Sequence, residues 1–173
     1  MKKAFIITAI AFSTFVCKAQ EESSSKIKVY AVNVGVGSFH FQKDINGHDG
    51  VSVITDLTIS LNKNLISGFY LAGTSIKILD GYNYGFKEVS LLYGREWKAT
   101  NWLRFEGFAG LGYFNQNTKD PNIGDDSTIS FPLRVNTKFY FTKKFGMGFN
   151  TNYSINSINN NFSTNLIFHF RFN

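Results

Sequence analysis

The stretch Phe162-Ser-Thr-Asn-Leu-Ile-Phe-His-Phe-Arg-Phe172 changes character at every residue. Phe162, Thr164, Leu166, Phe168, Phe170 and Phe172 fall on one parity; Ser163, Asn165, Ile167, His169 and Arg171 fall on the other. Successive side chains of a β-strand point to opposite faces, so the run forms a ribbon with a Phe-rich band on one side. The other side carries an amide, an imidazole and a guanidinium. This is the pattern of a strand with lipid against one face and a polar lumen against the other.

Working outward from this strand, seven more alternating segments lie at about 28–39, 51–61, 65–76, 84–97, 102–114, 128–141 and 145–156. The first sets Tyr30, Val32, Val34 and Val36 against Ala31, Asn33, Gly35 and Gly37. The second sets Val53, Leu57 and Ile59 against Ser52, Asp56 and Thr58. The third has no clear parity. The fourth opposes Val89, Leu91, Tyr93 and Trp97 to Glu88, Ser90, Gly94 and Glu96. The fifth opposes Leu103, Phe105, Leu111 and Tyr113 to Arg104, Glu106, Gly110 and Gly112. The sixth opposes Phe131, Leu133, Val135 and Phe139 to Ser130, Arg134, Asn136 and Lys138, and the seventh opposes Met147, Phe149 and Tyr153 to Gly146, Gly148, Asn150 and Asn152. Strands near ten residues suit a tilted membrane crossing. The expected fold is all-β: an eight-stranded antiparallel up-and-down transmembrane β-barrel.

The connections alternate in length. Asn62-Lys-Asn64, Lys98-Ala-Thr-Asn101 and Thr142-Lys-Lys144 are tight, whereas 42–50, 77–83 and 115–127 are longer and rich in Gly, Asp and Asn. An Asn-rich run, 157–161, closes the last hairpin. Short periplasmic turns and longer external loops are the barrel rule, and an even strand count puts both ends of the barrel on the periplasmic side. A weak repeat places an amide or cation before a large apolar residue at Asn64-Leu65, Asn101-Trp102 and Lys144-Phe145. Trp97 and Trp102 flank one tight turn and Phe172 ends the last strand; all three are candidate membrane-interface aromatics.

The first twenty residues read as a signal peptide: Lys2-Lys3, a mostly apolar run over 4–16 too short for a comfortable transmembrane helix, then Ala19-Gln20 before Glu21-Glu22. A retained anchor helix is the alternative. Residues 21–27 form a short polar leader and 28–173 the barrel domain. Three lysines leave with the signal, so the formal charge falls from +6 to about +3. The remaining basic residues are scattered, with no nucleic-acid footprint. Cys17 is the only cysteine, which excludes a disulfide framework and a cysteine metal cluster. Its place late in the apolar run raises a lipoprotein reading, but Thr14-Phe15-Val16 lacks the small residue expected before a lipidated cysteine.

Alternation also fits a secreted soluble β domain with the Phe-rich face as its core. Two features favour the membrane. The apolar parity is bulky for a small closed interior, while the opposite parity is rich in Gly, Ser and Asn, which suit a narrow lumen. That parity also carries Asp56, Glu88, Glu96, Arg104, Glu106, Arg134, Lys138, His169 and Arg171, charges of both signs that must pair inside an eight-stranded barrel. Glu88, Arg104, Glu106 and Arg134 are the expected members of a lumen charge network.

Taken together, the leader, the eight amphipathic strands, the tight turns with Lys or Asn and the Phe-ended last strand resemble the small OmpA/OmpX-type outer-membrane β-barrel proteins of Gram-negative bacteria. The segment Phe131-Pro-Leu-Arg-Val-Asn-Thr-Lys-Phe-Tyr-Phe141 resembles the proline-led strand common in the outer-membrane β-barrel domain family. The resemblance implies an outer-membrane location after export through the periplasm, outer-membrane lipid and lipopolysaccharide as surroundings, insertion by the barrel-assembly machinery, and a monomer. No nucleic-acid partner and no cofactor is expected.

Some barrels of this size modify lipid A, which calls for a Ser nucleophile, a His base and an acidic orienter on the lipid-facing side near the outer rim. His48 lies beside Asp49, with Ser52 following; His40 lies between Phe39 and Phe41; no His-x-Ser pair stands within a strand. Asp44, His48 and Asp49 share one loop, and Asp120, Asn122, Asp125 and Asp126 another, without the ligand spacing of an EF-hand. Gly110-Leu-Gly112 sits inside a strand and opens no helix, so it is no phosphate loop. The expected protein is not an enzyme. It is a barrel with a largely side-chain-filled lumen and a structural or surface-interaction role through its external loops. A small, porin-like pore or transporter for small solutes is the alternative; a lipid A-modifying enzyme and a secreted soluble barrel are further ones.

Overall fold

The computed structural model describes residues 27–42, 49–75, 84–118 and 125–172; the leader, Cys17, His48, and most of the three longer loops lie outside them. Eight strands form: β1 (Ile27–Phe41), β2 (Asp49–Leu61), β3 (Asn64–Ser75), β4 (Tyr84–Lys98), β5 (Leu103–Thr118), β6 (Asp126–Tyr140), β7 (Phe145–Asn156) and β8 (Asn161–Arg171). Each pairs antiparallel with its sequence neighbour, and β8 returns to pair with β1, closing the barrel. Closure leaves no free edge. The strands run from 11 to 16 residues, longer than the ten expected. The surplus lies mostly at the long-loop end, as in Gln116 paired with Asp126.

The short turns follow from local chemistry. Asn62 has φ 58°, the left-handed conformation that asparagine tolerates better than most residues, and it turns β2 into β3 within two residues. The next two tight turns share one device. Thr100 Oγ1 accepts hydrogen bonds from the Trp102 and Leu103 amides, at 3.3 and 3.0 Å. Thr142 Oγ1 accepts from the Lys144 and Phe145 amides, at 3.2 and 3.0 Å. The structural repeat is thus Thr-x-x-apolar, with Leu103 equivalent to Phe145. The sequence repeat, which aligned Trp102 with Phe145, was one residue out of step.

The faces are inverted relative to a soluble domain. Arg134, Lys138, Glu106 and Asp56 are buried inside, whereas Leu91 is 65% exposed and Ile129 63% exposed on the outer wall. Val36, Leu111, Phe131 and Phe149 join this outer band. A continuous apolar band of that extent around a polar interior is the signature of a lipid-facing barrel wall. The parity expected for β2 and for β4 to β8 holds. The ambiguous β3 turns Leu65, Ser67, Phe69 and Leu71 inward.

Two expectations about the faces need correction. Tyr30 is not on the outer band. The register between β1 and β2 slips between Val29 and Ala31, and both Tyr30 and Ala31 are buried. A bulge inserts one residue and so reverses the alternation locally. Second, the lumen is not only small and polar. Phe39, Phe41, Phe86 and Phe114 form an inward aromatic cluster at the long-loop end, with ring centroids 4.8 to 6.2 Å apart. Glycine makes room for it: a Cβ on Gly73 would stand 2.4 Å from the Phe86 ring and 2.7 Å from that of Phe39. Pro132 faces inward on β6, and the β5–β6 pairing is interrupted between Ala109–Leu133 and Gly112–Ser130. Proline has no N–H to give the ladder, so the break falls there.

Candidate functional site: the filled lumen

The interior is layered along the barrel axis. In its middle, Arg134 of β6 reaches across to β2 and β3. Its Nη1 donates to Asp56 Oδ2 at 3.1 Å and its Nη2 to Ser67 Oγ at 2.9 Å. The guanidinium lies 4.2 Å from the Phe108 ring centroid and 4.7 Å from that of Phe69. Arginine suits this place because its planar cation can stack on rings while its edge donates. Asp56 Oδ1 also accepts from Asn33 Nδ2 at 2.7 Å and Thr58 Oγ1 at 3.1 Å. With Nδ2 of Asn33 donating, its Oδ1 accepts from His169 Nδ1 at 2.6 Å. His169 Nε2 is then left to accept the Tyr140 hydroxyl at 2.7 Å.

A second chain of bonds circles the wall. Lys138 Nζ donates to Glu106 Oε1 at 2.7 Å and Asn136 Nδ2 to Oε2 at 2.9 Å. Asn150 donates to Asn136, Asn165 to Asn150, and Ser52 to Asn165, at 2.7, 3.5 and 2.7 Å. Asn136, Asn150 and Asn165 each both give and accept, so this row of three asparagines ties β6, β7 and β8 together. At the short-turn end Arg104 Nη1 donates to Glu96 Oε1 at 2.6 Å, and the Tyr30 hydroxyl donates to Glu96 Oε2. Arg104 also lies over the Tyr140 ring and Arg171 over that of Tyr30.

The four residues expected to form one charge network therefore do not meet one another. Arg104 pairs with Glu96, Arg134 with Asp56, and Glu106 with Lys138. Glu88 has no cationic partner among the described residues. Its Oε1 accepts from Ser130, Ser154 and Ser90 at 2.6, 2.8 and 3.4 Å, while Oε2 makes no hydrogen bond. Asp56, Glu96 and Lys138 were visible as polar-parity charges, but their pairing depends on register. Arg134 and Asp56 stand 78 residues apart in the chain. Because Glu88 is held by hydroxyls, Glu88→Gln keeps the Oε1 acceptor, and it is expected to change stability by less than about 1.5 kcal/mol in a vesicle unfolding titration. A loss of several kcal/mol would show that a cation partner had been missed.

The remaining candidates are dispersed. Trp97, Trp102 and Phe172 are exposed at the short-turn end, with Trp102 stacked on Phe139. His40 points outward at the long-loop end and its Nδ1 contacts Asp49 Oδ1. Ser38 shares that outer face, two residues away, and helps line the same shallow cleft. The order here is Ser-x-His, Ser38-Phe39-His40, the reverse of the His-x-Ser pair that no strand contains. No hydrogen bond joins Ser38 to the imidazole among the described residues, so the arrangement orients a base without engaging a nucleophile. Asp44, His48, Asp120 and Asn122 lie outside the described residues. Asp126 Oδ1 accepts the amide of its neighbour Ser127 at the start of β6.

With the strand count, closure and inverted faces established, comparison with solved structures is direct. Neisserial surface protein A superposes with a TM-score of 0.73 at 9% identity, covering 85% of this chain and 99% of that one. The chain shares the fold of the small outer-membrane β-barrels. Ail, the attachment invasion locus protein of Yersinia pestis, gives a TM-score of 0.61 at 14% identity, over 84% and 99% of the two chains. The N-terminal β-barrel domain of Pseudomonas aeruginosa OprF gives 0.57 at 15%, over 85% and 100%. No protein-family model and no curated protein sequence matches the chain. At these identities the likeness is one of fold, carried by face pattern and not by shared side chains.

Proposed function

We propose that this protein resides in the bacterial outer membrane as a monomeric barrel that carries no solute and no chemistry through its lumen. It serves a structural or surface-interaction role through the segments joining its strands at the long-loop end. The observation that carries this reading is the filled interior. Three ion pairs, a row of bonded asparagines and an aromatic cluster occupy successive levels, leaving side chains where a water column would run. The closed sheet offers no edge for strand addition, which supports a monomer in outer-membrane lipid and lipopolysaccharide. Two of the similar structures carry names that denote surface display and attachment, which accords with a role at the loop end.

The test is conductance. Purified, folded protein in planar bilayers is expected to give no steady channel. Large, stable wild-type openings would sink this reading and make a small pore the leading one.

A further inference from the structure

At the short-turn end, the rim of the barrel holds a cleft of about 710 Å³. Lys28 of β1, Lys63 of the β2–β3 turn, Arg95 of β4 and Arg171 of β8 all line it. The single carboxylate there, Glu96, is already taken by Arg104 and the Tyr30 hydroxyl. None of the four cations makes a salt bridge among the described residues. Arg95 Nε donates to Asn64 Oδ1 at 3.0 Å and its terminal nitrogens bond no described residue, and Arg171 lies over Tyr30 with its own Nε without a partner among them. Three strand ends and one turn thus bring together positive charge that no carboxylate among the described residues neutralises, in a cleft large enough for a polar headgroup.

We infer that this cleft binds the net-negative headgroup of an anionic phospholipid, one whose phosphodiester has no cation of its own beside it, in the leaflet at the short-turn end. Two observations select a lipid over a soluble anion. Trp97 lines the cleft and is 57% exposed on the outer wall, and indoles of this kind sit at headgroup depth. The cleft also straddles the rim. Arg95 and Trp97 lie on its lipid side, while Tyr30, Glu96 and Arg171 lie at the mouth of the lumen. A headgroup can bend over the rim while its chains stay against the apolar band. Arginine donates two parallel bonds to a phosphate, and lysine adds point charge. This inference rests on the membrane reading above.

The test is lipid retention by the full-length folded protein, measured by native mass spectrometry after incubation with phosphatidylglycerol or phosphatidylcholine. Phosphatidylglycerol is expected to be retained with a preference of about tenfold or more. The variant Lys63→Gln/Arg95→Gln/Arg171→Gln should lose that preference. Lys143→Gln/Lys144→Gln, at the neighbouring β6–β7 turn, should keep it. Heat-modifiable gel mobility shows that each variant is folded, and flotation with vesicles tests membrane insertion separately. Equal retention of the two lipids overturns the inference, as does loss of preference in the β6–β7 variant. Displacement of phosphatidylglycerol by inorganic phosphate would reassign the cleft to a soluble anion and equally overturn it. Failure to float would instead remove the membrane reading.

Discussion

Arg134→Ala is expected to lower the stability of the folded barrel by about 3–5 kcal/mol, the cost of leaving a buried charge without its partner. Arg134 is fully buried and is the cation on Asp56, whose side chain is also enclosed. Truncation removes two charge-assisted donors and the cation stacked against Phe69 and Phe108 together. It leaves Asp56 with only the neutral donors Asn33 and Thr58. The measurement is urea unfolding in lipid vesicles, followed by gel mobility. Pairing Asp56→Asn with Arg134→Met keeps volume and removes both charges, and it should recover much of the loss. The single variant should also show intermittent conductance where wild type shows none, because the side chain filling the mid-lumen is gone. A single-variant loss below about 1 kcal/mol, on the scale of one neutral hydrogen bond, would refute the pair as the centre of the lumen.

Leu91→Arg should cost about 2–4 kcal/mol, and the same change at Ile129 only about 0–1 kcal/mol. Leu91 is at the middle of β4, paired with Leu111 of β5, and points out of the barrel. An arginine there must sit in hydrocarbon or bend a long way to reach headgroups. Ile129 is as exposed but lies near the long-loop end of β6, where water is close. Vesicle unfolding titrations of the two variants supply the comparison. Equal costs would mean that the apolar band does not coincide with the bilayer. Ser163→Ala is the inward control: its hydroxyl has no partner, so its loss should be mild.

The eight strands, the alternation of all but β3 and the start of β1, and the places of the tight turns were legible in the chain because they depend on local geometry. A period of two assigns faces without knowledge of any neighbour, and the Phe-ended last strand needed nothing else. The outward position of Leu91 and the inward position of Arg134 follow from parity alone. Tyr30 shows the limit of that logic, since one bulge moved a tyrosine from the lipid band into the lumen. A bulge is set by how two strands match, and no residue type in 27–31 announces it.

Which charges meet is a property of closure. Register and strand tilt carry Arg134 to Asp56 and Lys138 to Glu106, and they leave Glu88 among three serines. They also gather Phe39, Phe41, Phe86 and Phe114 from three strands into one cluster, and four cations from three strand ends and one turn into one cleft. In an inside-out barrel the lipid-facing residues need only be apolar, so their pattern is written along each strand. The lumen residues must satisfy specific partners across a few ångströms of enclosed space, and those partners are chosen only when β8 pairs with β1 and the sheet closes.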